Sequence, residues 1–148
     1  MTGYILMNVF GIASQAALGT ADSNLIIIAN RVLSIKDHSI LKGHRPHGEQ
    51  DAAYYGKPQR SKLKWPDGKH NALPSRAIDV QTYPVPKGRD GTQKGYEQEL
   101  REEQLYLLGL YVGVASGMAI MLRTGADWDR DGEIADNGFD DFYHVELV

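Results

Sequence analysis

Two short segments of this chain alternate between polar and apolar residues, and they constrain the possible folds more than any other feature. In the segment from Ala77 to Gln81, Asp79 shares one face with the two end residues, while the apolar residues between them face the other way. The segment from Tyr143 to Leu147 alternates in the same manner. A period of two is typical of a half-buried strand. The sequence therefore predicts two strands, one presenting Asp79 and the other His144 and Glu146 toward a common cleft.

Helical periodicity and turn residues predict the other elements. Apolar residues at helical spacing follow Asp22 or Ser23, either of which can cap a helix, and a loop rich in Lys, Pro and Gly spans Gly56 to Gly68. The expected elements are a helix to about Leu33, a short strand from Ser39 to Lys42, a short helix from Gly48 to Tyr55, and a long helix from about Tyr96 to Arg123. Together they predict one α+β domain over residues 1–148, with helices packed on a small antiparallel sheet.

The segment from Leu105 to Leu122 has no charged residue and allows two interpretations. Gly109, Gly113 and Gly117 recur at four-residue spacing, a pattern found where helices pack closely in membranes. The run is barely long enough to span a bilayer, however, and it contains tyrosine, glycine and serine. We therefore expect a buried core helix and no membrane insertion, with the glycines allowing a neighbouring element to approach closely.

Composition and charge exclude several classes of function. The 148 residues include no cysteine, which rules out disulfides and thiolate metal ligands. A net charge of −3 predicts no nucleic-acid partner, although the basic run Lys57, Arg60, Lys62 and Lys64 could meet an anionic surface. Residues 1–19 contain no Lys or Arg, so we expect no secretory signal.

Two separated segments contain residues that can bind a metal ion. Lys69 to Asp79 supplies one imidazole and one carboxylate, and Asp141 to Glu146 supplies a second imidazole with a carboxylate three residues before it. Two His and one carboxylate are a common set for catalytic zinc, because the fourth tetrahedral position stays open to a water molecule. The set favours a hydrolase.

These segments belong to a longer, ordered series of residues that covers the chain from about Phe10 to its end. The series resembles the D-alanyl-D-alanine carboxypeptidase family of zinc peptidases, and within it the phage endolysins that act as L-alanyl-D-glutamate peptidases. The matching residues are Gly43-His44-Arg45, Gln50, Ala53-Tyr54, Gly56, Ser61-Lys62, Lys69-His70-Asn71, Ser75-Arg76-Ala77-Ile78-Asp79, Asp127-Trp128-Asp129-Arg130-Asp131-Gly132 and Asp141-Phe142-Tyr143-His144-Val145-Glu146-Leu147.

The resemblance implies a DD-peptidase or hedgehog-like zinc peptidase fold and a role for individual residues. His70, Asp79 and His144 would bind zinc, Asp141 would be the general base, and Arg45 would bind a carbonyl or carboxylate of the substrate. The chain differs from the carboxypeptidase branch in its longer spacing from His70 to Asp79 and in having Asp141 where many relatives have Glu. These differences fit the endolysin branch.

The chemistry of the residues supports these roles but leaves alternatives. Asp141 precedes His144 by three residues, so a turn entering the strand could bring its carboxylate to the attacking water. Asp136, Asp140 or Glu146 could serve as the base instead, and Glu146 could accept a hydrogen bond from a ligand imidazole. Arg45 offers a planar donor fork for an oxyanion, or it is an ordinary surface residue. The two tryptophans, Trp65 and Trp128, could line a substrate groove or could have packing roles.

An acidic loop raises a second metal question. Asp127, Asp129, Asp131 and Gly132 match the first half of an EF-hand loop, but the twelfth position is Gly138 where the motif requires a bidentate Glu. Asp136 or Asp140 could substitute in a longer loop. The sequence therefore predicts either a calcium site or an ordinary solvated turn.

Taken together, the sequence predicts a zinc-dependent peptidoglycan peptidase, a monomeric endolysin that cuts the L-alanyl-D-glutamate bond of the stem peptide. Such a bacteriophage enzyme would stay in the cytoplasm of the host bacterium until a holin releases it to the cell wall. The alternatives are a D-Ala-D-Ala carboxypeptidase or dipeptidase, and a non-catalytic cell-wall or calcium-binding module.

Overall fold

The computed structural model describes residues 7–148, and within them four strands form one antiparallel sheet. The strands are β1 (His38–Lys42), β2 (Ala77–Thr82), β3 (Leu122–Gly125) and β4 (Asp141–Leu147). Their order in the sheet is β1-β2-β4-β3, so the two strands predicted from alternation lie side by side in its centre. Their register places Asp79 directly opposite His144.

Within residues 7–148, four α-helices and one short 3-10 helix accompany the sheet. The α-helices are α1 (Ile12–Leu18), α2 (Ser23–Leu33), α3 (His47–Tyr55) and α4 (Gln93–Gly117), and the 3-10 helix covers Lys69–Asn71. The predicted α+β class, with helices packed on a small antiparallel sheet, is therefore confirmed. The predicted cap of α2 is also confirmed, because the Asp22 side chain accepts a hydrogen bond from the Asn24 amide.

The hydrophobic core lies between the sheet and the pair α2 and α4. Helix α2 buries Leu25, Ile28, Ala29 and Val32, which are the residues that its periodicity placed on one face. The sheet contributes Ile78, Val80 and Val145, and α4 contributes Leu107 and Tyr111. Burying each large apolar side chain stabilises the fold by roughly 1.5–3 kcal/mol. The opposite face of β2 and β4 is left free to carry polar side chains.

The prediction of a helix that continues to Arg123 was wrong at its C-terminal end. Helix α4 stops at Gly117, and the chain reverses at Ala119, whose φ is +57°. The residues from Leu122 onward then pair with β4 as strand β3, so Arg123 lies in a strand. The uncharged run therefore contains the end of α4 and the first residue of β3. The helix ends where pairing of the following residues with β4 stabilises the chain more than further helical turns would. Helix α1 was also not predicted.

The role expected for the glycines of this run was wrong as well. A Cβ atom added at Gly109, Gly113 or Gly117 would meet no atom within 4 Å. The glycines therefore lie on an open face of α4, and the close contacts with the sheet come from its other side. No helix in the part of the chain that the structure describes is long and apolar enough to cross a membrane.

Candidate metal centre

Three side chains from the two predicted segments meet in a half-buried cluster. His70 Nε2 lies 3.1 Å from Asp79 Oδ1 and 3.3 Å from His144 Nδ1, and His144 Nδ1 lies 3.4 Å from Asp79 Oδ1. Ligands at about 2.0–2.1 Å from a tetrahedral zinc ion are separated from one another by about 3.3 Å. The triad could therefore bind a metal ion.

Hydrogen bonds fix both imidazoles so that one ring nitrogen of each is left for the metal. His70 Nδ1 donates to the Gly43 carbonyl at 2.7 Å, which leaves the Nε2 lone pair directed to the centre. His144 Nε2 lies 2.8 Å from Glu146 Oε2, and donation there leaves the Nδ1 lone pair directed to the same point. Outer partners of this kind orient the imidazoles of metal sites. The predicted contact between Glu146 and an imidazole is present.

Buried polar groups hold the His70 side of the cluster in place. The 3-10 helix that carries His70 is tied to the segment that follows β1, because the Arg45 amide donates to the His70 carbonyl at 2.7 Å. The Asn71 amide group donates to the Arg45 carbonyl and to Gln50 Oε1, both at 3.1 Å. Gln50 in turn donates to the Leu63 carbonyl. Gln50 and Asn71 were part of the resemblance, but the sequence did not predict their structural role.

Gly43 explains how the chain comes close enough to support His70. A Cβ atom at this position would overlap the Ala17 carbonyl and the Thr20 hydroxyl of the neighbouring α1 segment. Glycine therefore lets the backbone pass beside α1 while its carbonyl accepts the His70 hydrogen bond.

Glu146, Arg123 and Trp128 extend the His144 side of the cluster. Glu146 is 4% exposed, and Arg123 Nε donates to its Oε1 at 2.8 Å. The Arg123 guanidinium lies 5.7 Å from the centre of the Trp128 ring, which itself packs 5.3 Å from the His144 ring. Trp128 thus lies beside the metal centre. The sequence did not predict Arg123 here because it assigned this residue to the end of the long helix.

The charged groups of the cluster shift the pKa of one another so that each stays charged. Burial alone raises the pKa of Asp79, but hydrogen bonds to His144 and His70 outweigh it and leave the pKa well below the ordinary value. Burial lowers the pKa of His144, yet the bonds to Asp79 and Glu146 raise it to about 9. The pKa of Glu146 is lowered, because His144 and Arg123 together outweigh its desolvation. In the metal-free protein, a proton on His144 thus occupies the place of the metal charge.

Asp141 lies at the start of β4, on the wall of the cavity that contains the triad. Its Oδ1 accepts a hydrogen bond from the Tyr143 amide at 3.0 Å. A Cβ atom at Gly125 would overlap the Asp141 carbonyl, so only glycine lets β3 approach β4 here. The buried Gln104 of α4 donates to the Phe142 carbonyl at 3.0 Å and holds this end of the strand.

The other carboxylates considered as the base are placed differently. Glu146 is already bonded to His144 and Arg123. Asp140 is exposed and lines neither cavity that borders the triad, and Asp136 lies in the acidic loop. Of these four carboxylates, only Asp141 and Glu146 line the cavity of the triad. Within residues 7–148, Asp141 makes no bond to a residue of the triad or to Arg123, so it is the one that stays available.

Arg45 lies close to the triad. Its Nη2 is 3.5 Å from Asp79 Oδ2, and its Nη1 donates to Gln50 Oε1 at 3.3 Å. The guanidinium is largely shielded from solvent, at 20% exposure of the side chain. The interpretation of Arg45 as an ordinary surface residue is therefore wrong.

Two cavities adjoin at Asp79 of the triad, and together they are called the cleft below. The first, of about 470 Å³, is lined by Trp128, Phe139 and the basic loop, and the second, of about 720 Å³, is lined by residues of α3 together with Gln81 and Tyr143. Both are lined by Arg45, Arg60, Asp79 and Asp141. An extended chain could therefore pass from the cavity that contains the triad into the second cavity.

The acidic loop forms a second, separate group of carboxylates. Ligand atoms of Asp127, Asp129 and Asp131 lie within 4.8 Å of one another. Asp127 Oδ1 is buried and has no hydrogen-bond partner among residues 7–148, while Asp127 Oδ2 accepts from the Gly132 amide at 3.2 Å. Desolvation and the charges of Asp131 and Asp129 raise the pKa of Asp136, which shows that this carboxylate adjoins the group.

The remaining histidines and the other tryptophan lie outside the centre. His38 is buried and bonded to the Tyr111 hydroxyl at 2.7 Å, and His44 bonds to the Ala72 carbonyl at 3.0 Å. His47 is exposed and stacks on Trp65, with ring centres 5.2 Å apart. These residues have structural or solvated roles, and of the two tryptophans only Trp128 lines the cavity of the triad.

Comparison with known proteins identifies a solved structure with a similar fold. No protein-family model matches the sequence, and no curated protein sequence matches it. Among solved structures, the chain is similar to the crystal structure of the Serratia marcescens L-Ala D-Glu endopeptidase ChiX. The TM-score is 0.65 at 14% sequence identity, over 98% of this chain and 94% of that chain. The chain therefore shares its fold with that endopeptidase over nearly its whole length.

Proposed function

We propose that this protein is a zinc-dependent peptidoglycan peptidase that hydrolyses the L-alanyl-D-glutamate bond of the stem peptide. The observation that carries the proposal is the spacing of the triad, whose three ligand atoms lie 3.1–3.4 Å apart, as tetrahedral zinc requires. The fold shared with an enzyme named for that bond supports the substrate.

The residues of the centre have distinct roles in this reaction. His70 Nε2, Asp79 Oδ1 and His144 Nδ1 would hold the zinc ion, which supplies an acidified water and a polarised carbonyl when bound. Asp141 takes the proton of the attacking water and returns it to the leaving amine. Arg45 donates hydrogen bonds to the carbonyl oxygen as it gains negative charge.

The shape of the cleft favours cleavage within a peptide. A carboxypeptidase needs space for only one or two residues beyond the scissile bond, whereas here the cavity of about 470 Å³ that contains the triad adjoins a second cavity of about 720 Å³ at Asp79. This geometry disfavours the alternative of a D-Ala-D-Ala carboxypeptidase or dipeptidase. A non-catalytic wall-binding or calcium-binding module would have no need of the paired imidazoles or of Asp141.

For the cellular role, we propose a single-domain, monomeric phage endolysin that causes lysis of its host. It would reside in the host cytoplasm until a holin opens the route to the peptidoglycan. This proposal rests on the resemblance of the sequence to the endolysin branch.

Digestion of purified peptidoglycan tests the reaction directly. The released termini would be identified by mass spectrometry for the zinc-loaded protein, with the Asp141→Asn variant as control. We expect new N-terminal D-glutamate from the wild type and about 100-fold less from the variant. Free D-alanine would favour the carboxypeptidase instead, and the absence of any product would favour the non-catalytic module.

A further inference from the structure

Arg60 is a cation of the cleft that has no role in the proposed chemistry. Arg60 lies in the loop after α3, where its amide donates to the Ala53 carbonyl at 2.8 Å and the Ser61 amide donates to the same carbonyl at 3.0 Å. These backbone bonds anchor the loop at the end of α3. Arg60 lines both cavities, as do Asp79 of the triad and Asp141.

Three of the other four cations of the first cavity have partners, and the fourth, Lys69, does not line the second cavity. Arg45 contacts Asp79, Arg123 is paired with Glu146, and the Lys62 ammonium lies 4.3 Å from the centre of the Phe139 ring. The Arg60 guanidinium makes no ion pair and no hydrogen bond within residues 7–148. An arginine without a partner at the junction of a cleft is available to a ligand, and its planar fork fits a carboxylate.

The proposed substrate places a carboxylate at the corresponding position. In the stem peptide, D-glutamate is linked onward through its γ-carboxyl group, so its α-carboxyl group stays outside the main chain. That group is bonded to the same carbon as the scissile nitrogen. A free α-carboxylate would therefore lie next to the reacting bond, whereas amidation to D-isoglutamine removes its charge.

We propose that Arg60 binds this α-carboxylate and makes the enzyme selective for stem peptides with free D-glutamate over those with D-isoglutamine. The inference rests on the proposed function and assigns a substrate class to the same site. Lys57, a cation of the same loop, lines neither cavity and provides a matched control.

Two muropeptides that differ only in this group test the proposal. The kcat/KM values for disaccharide tripeptides with D-glutamate and with D-isoglutamine would be measured on zinc-loaded wild type and on Arg60→Gln, Arg60→Lys and Lys57→Ala. A charge-assisted hydrogen bond predicts a wild-type preference of about 10- to 100-fold for the acid. Arg60→Gln should lose this preference by slowing only the acidic peptide, Arg60→Lys should keep part of it, and Lys57→Ala should keep all of it.

The outcomes separate the inference from the function. Equal cleavage of both peptides by the wild type, or a preference that survives in Arg60→Gln, overturns the inference and leaves the peptidase intact. If neither muropeptide is cut while zinc is bound, the proposed function fails and the inference fails with it. Unchanged zinc content and melting temperature in Arg60→Gln would show that the substitution acts on the substrate.

Discussion

The metal-centre triad and the acidic loop could each offer three ligand atoms to a metal ion, but their surroundings differ. Asp79 lies on a central strand, is flanked by two imidazoles, and each imidazole has a buried outer partner. Asp129 and Asp131 lie in the connection between β3 and β4 and are exposed. The loop carboxylates accept bonds from their own backbone, as with Asp131 and the Glu133 amide.

This difference sets the expected behaviour of each site toward metals. The triad is pre-organised by hydrogen bonds that involve distant parts of the chain, so a metal there should bind tightly and should compete with the proton of His144. The loop provides oxygen ligands without such support, so a hard cation there should bind weakly and with little dependence on pH near neutrality. The predictions below test each half of this comparison.

The largest effect is expected at the base. Asp141→Asn should lower kcat by roughly 100-fold or more while zinc content and melting temperature stay close to wild type, because the amide cannot take a proton. The matched control is Asp140→Asn, which changes an exposed neighbour that lines neither cavity. A fully active Asp141→Asn variant beside an inactive Asp140→Asn or Glu146→Gln variant would show that the base is a different carboxylate.

A smaller effect, a loss of zinc affinity, is expected when Glu146, the outer partner of His144, loses its charge. Glu146→Gln should weaken zinc binding by about 10- to 100-fold, the usual cost of removing an outer carboxylate. Competition with a chelator measures the affinity, and Glu49→Gln, a change of an exposed carboxylate paired with Lys42, serves as control. Equal affinities in both variants would mean that the triad does not depend on its outer shell.

Because the pKa of His144 is raised, the stability of the metal-free fold should fall with rising pH while the affinity for zinc should rise. A folded-state pKa of about 9 against an ordinary value of 6.5 stabilises the metal-free fold below about pH 6.5, and this contribution is lost as pH rises through 9. Zinc affinity should rise over the same range, since the metal replaces the proton. Thermal melts with chelator between pH 6 and 9, and calorimetry in two buffers, would check both. A metal-free protein that gains stability across this range would contradict the assignment.

The smallest effect is expected at the acidic loop. Millimolar calcium should raise the melting temperature of the zinc-loaded protein by roughly 2–4 °C, as about 1 kcal/mol of binding free energy would. Asp129→Ala should abolish the shift without removing zinc, whereas Glu133→Ala, in the same loop, should keep it. If calorimetric titration detects no calcium binding at these concentrations, the loop is an ordinary acidic turn.

The sequence predicted the parts of the centre that local patterns determine. Alternation located β2 and β4, and their pairing followed once both faces were assigned. His70 lies in a 3-10 helix without periodicity, so the ligand set and the resemblance pointed to it, and no strand or helix pattern did. Arg123 and its bond to Glu146 were missed because the end of α4 depends on strand pairing, which the residues before Leu122 do not encode locally.

The most direct test of the central claim is the metal content and coordination of the purified protein. X-ray absorption and elemental analysis should find one zinc ion per chain with two imidazole ligands and oxygen ligands at about 2.0–2.2 Å. Separate replacement of His70, Asp79 and His144 by Ala should remove the zinc and the lytic activity together, while replacement of the exposed His47 should change neither. Stoichiometric zinc and full turnover in His144→Ala would contradict the account.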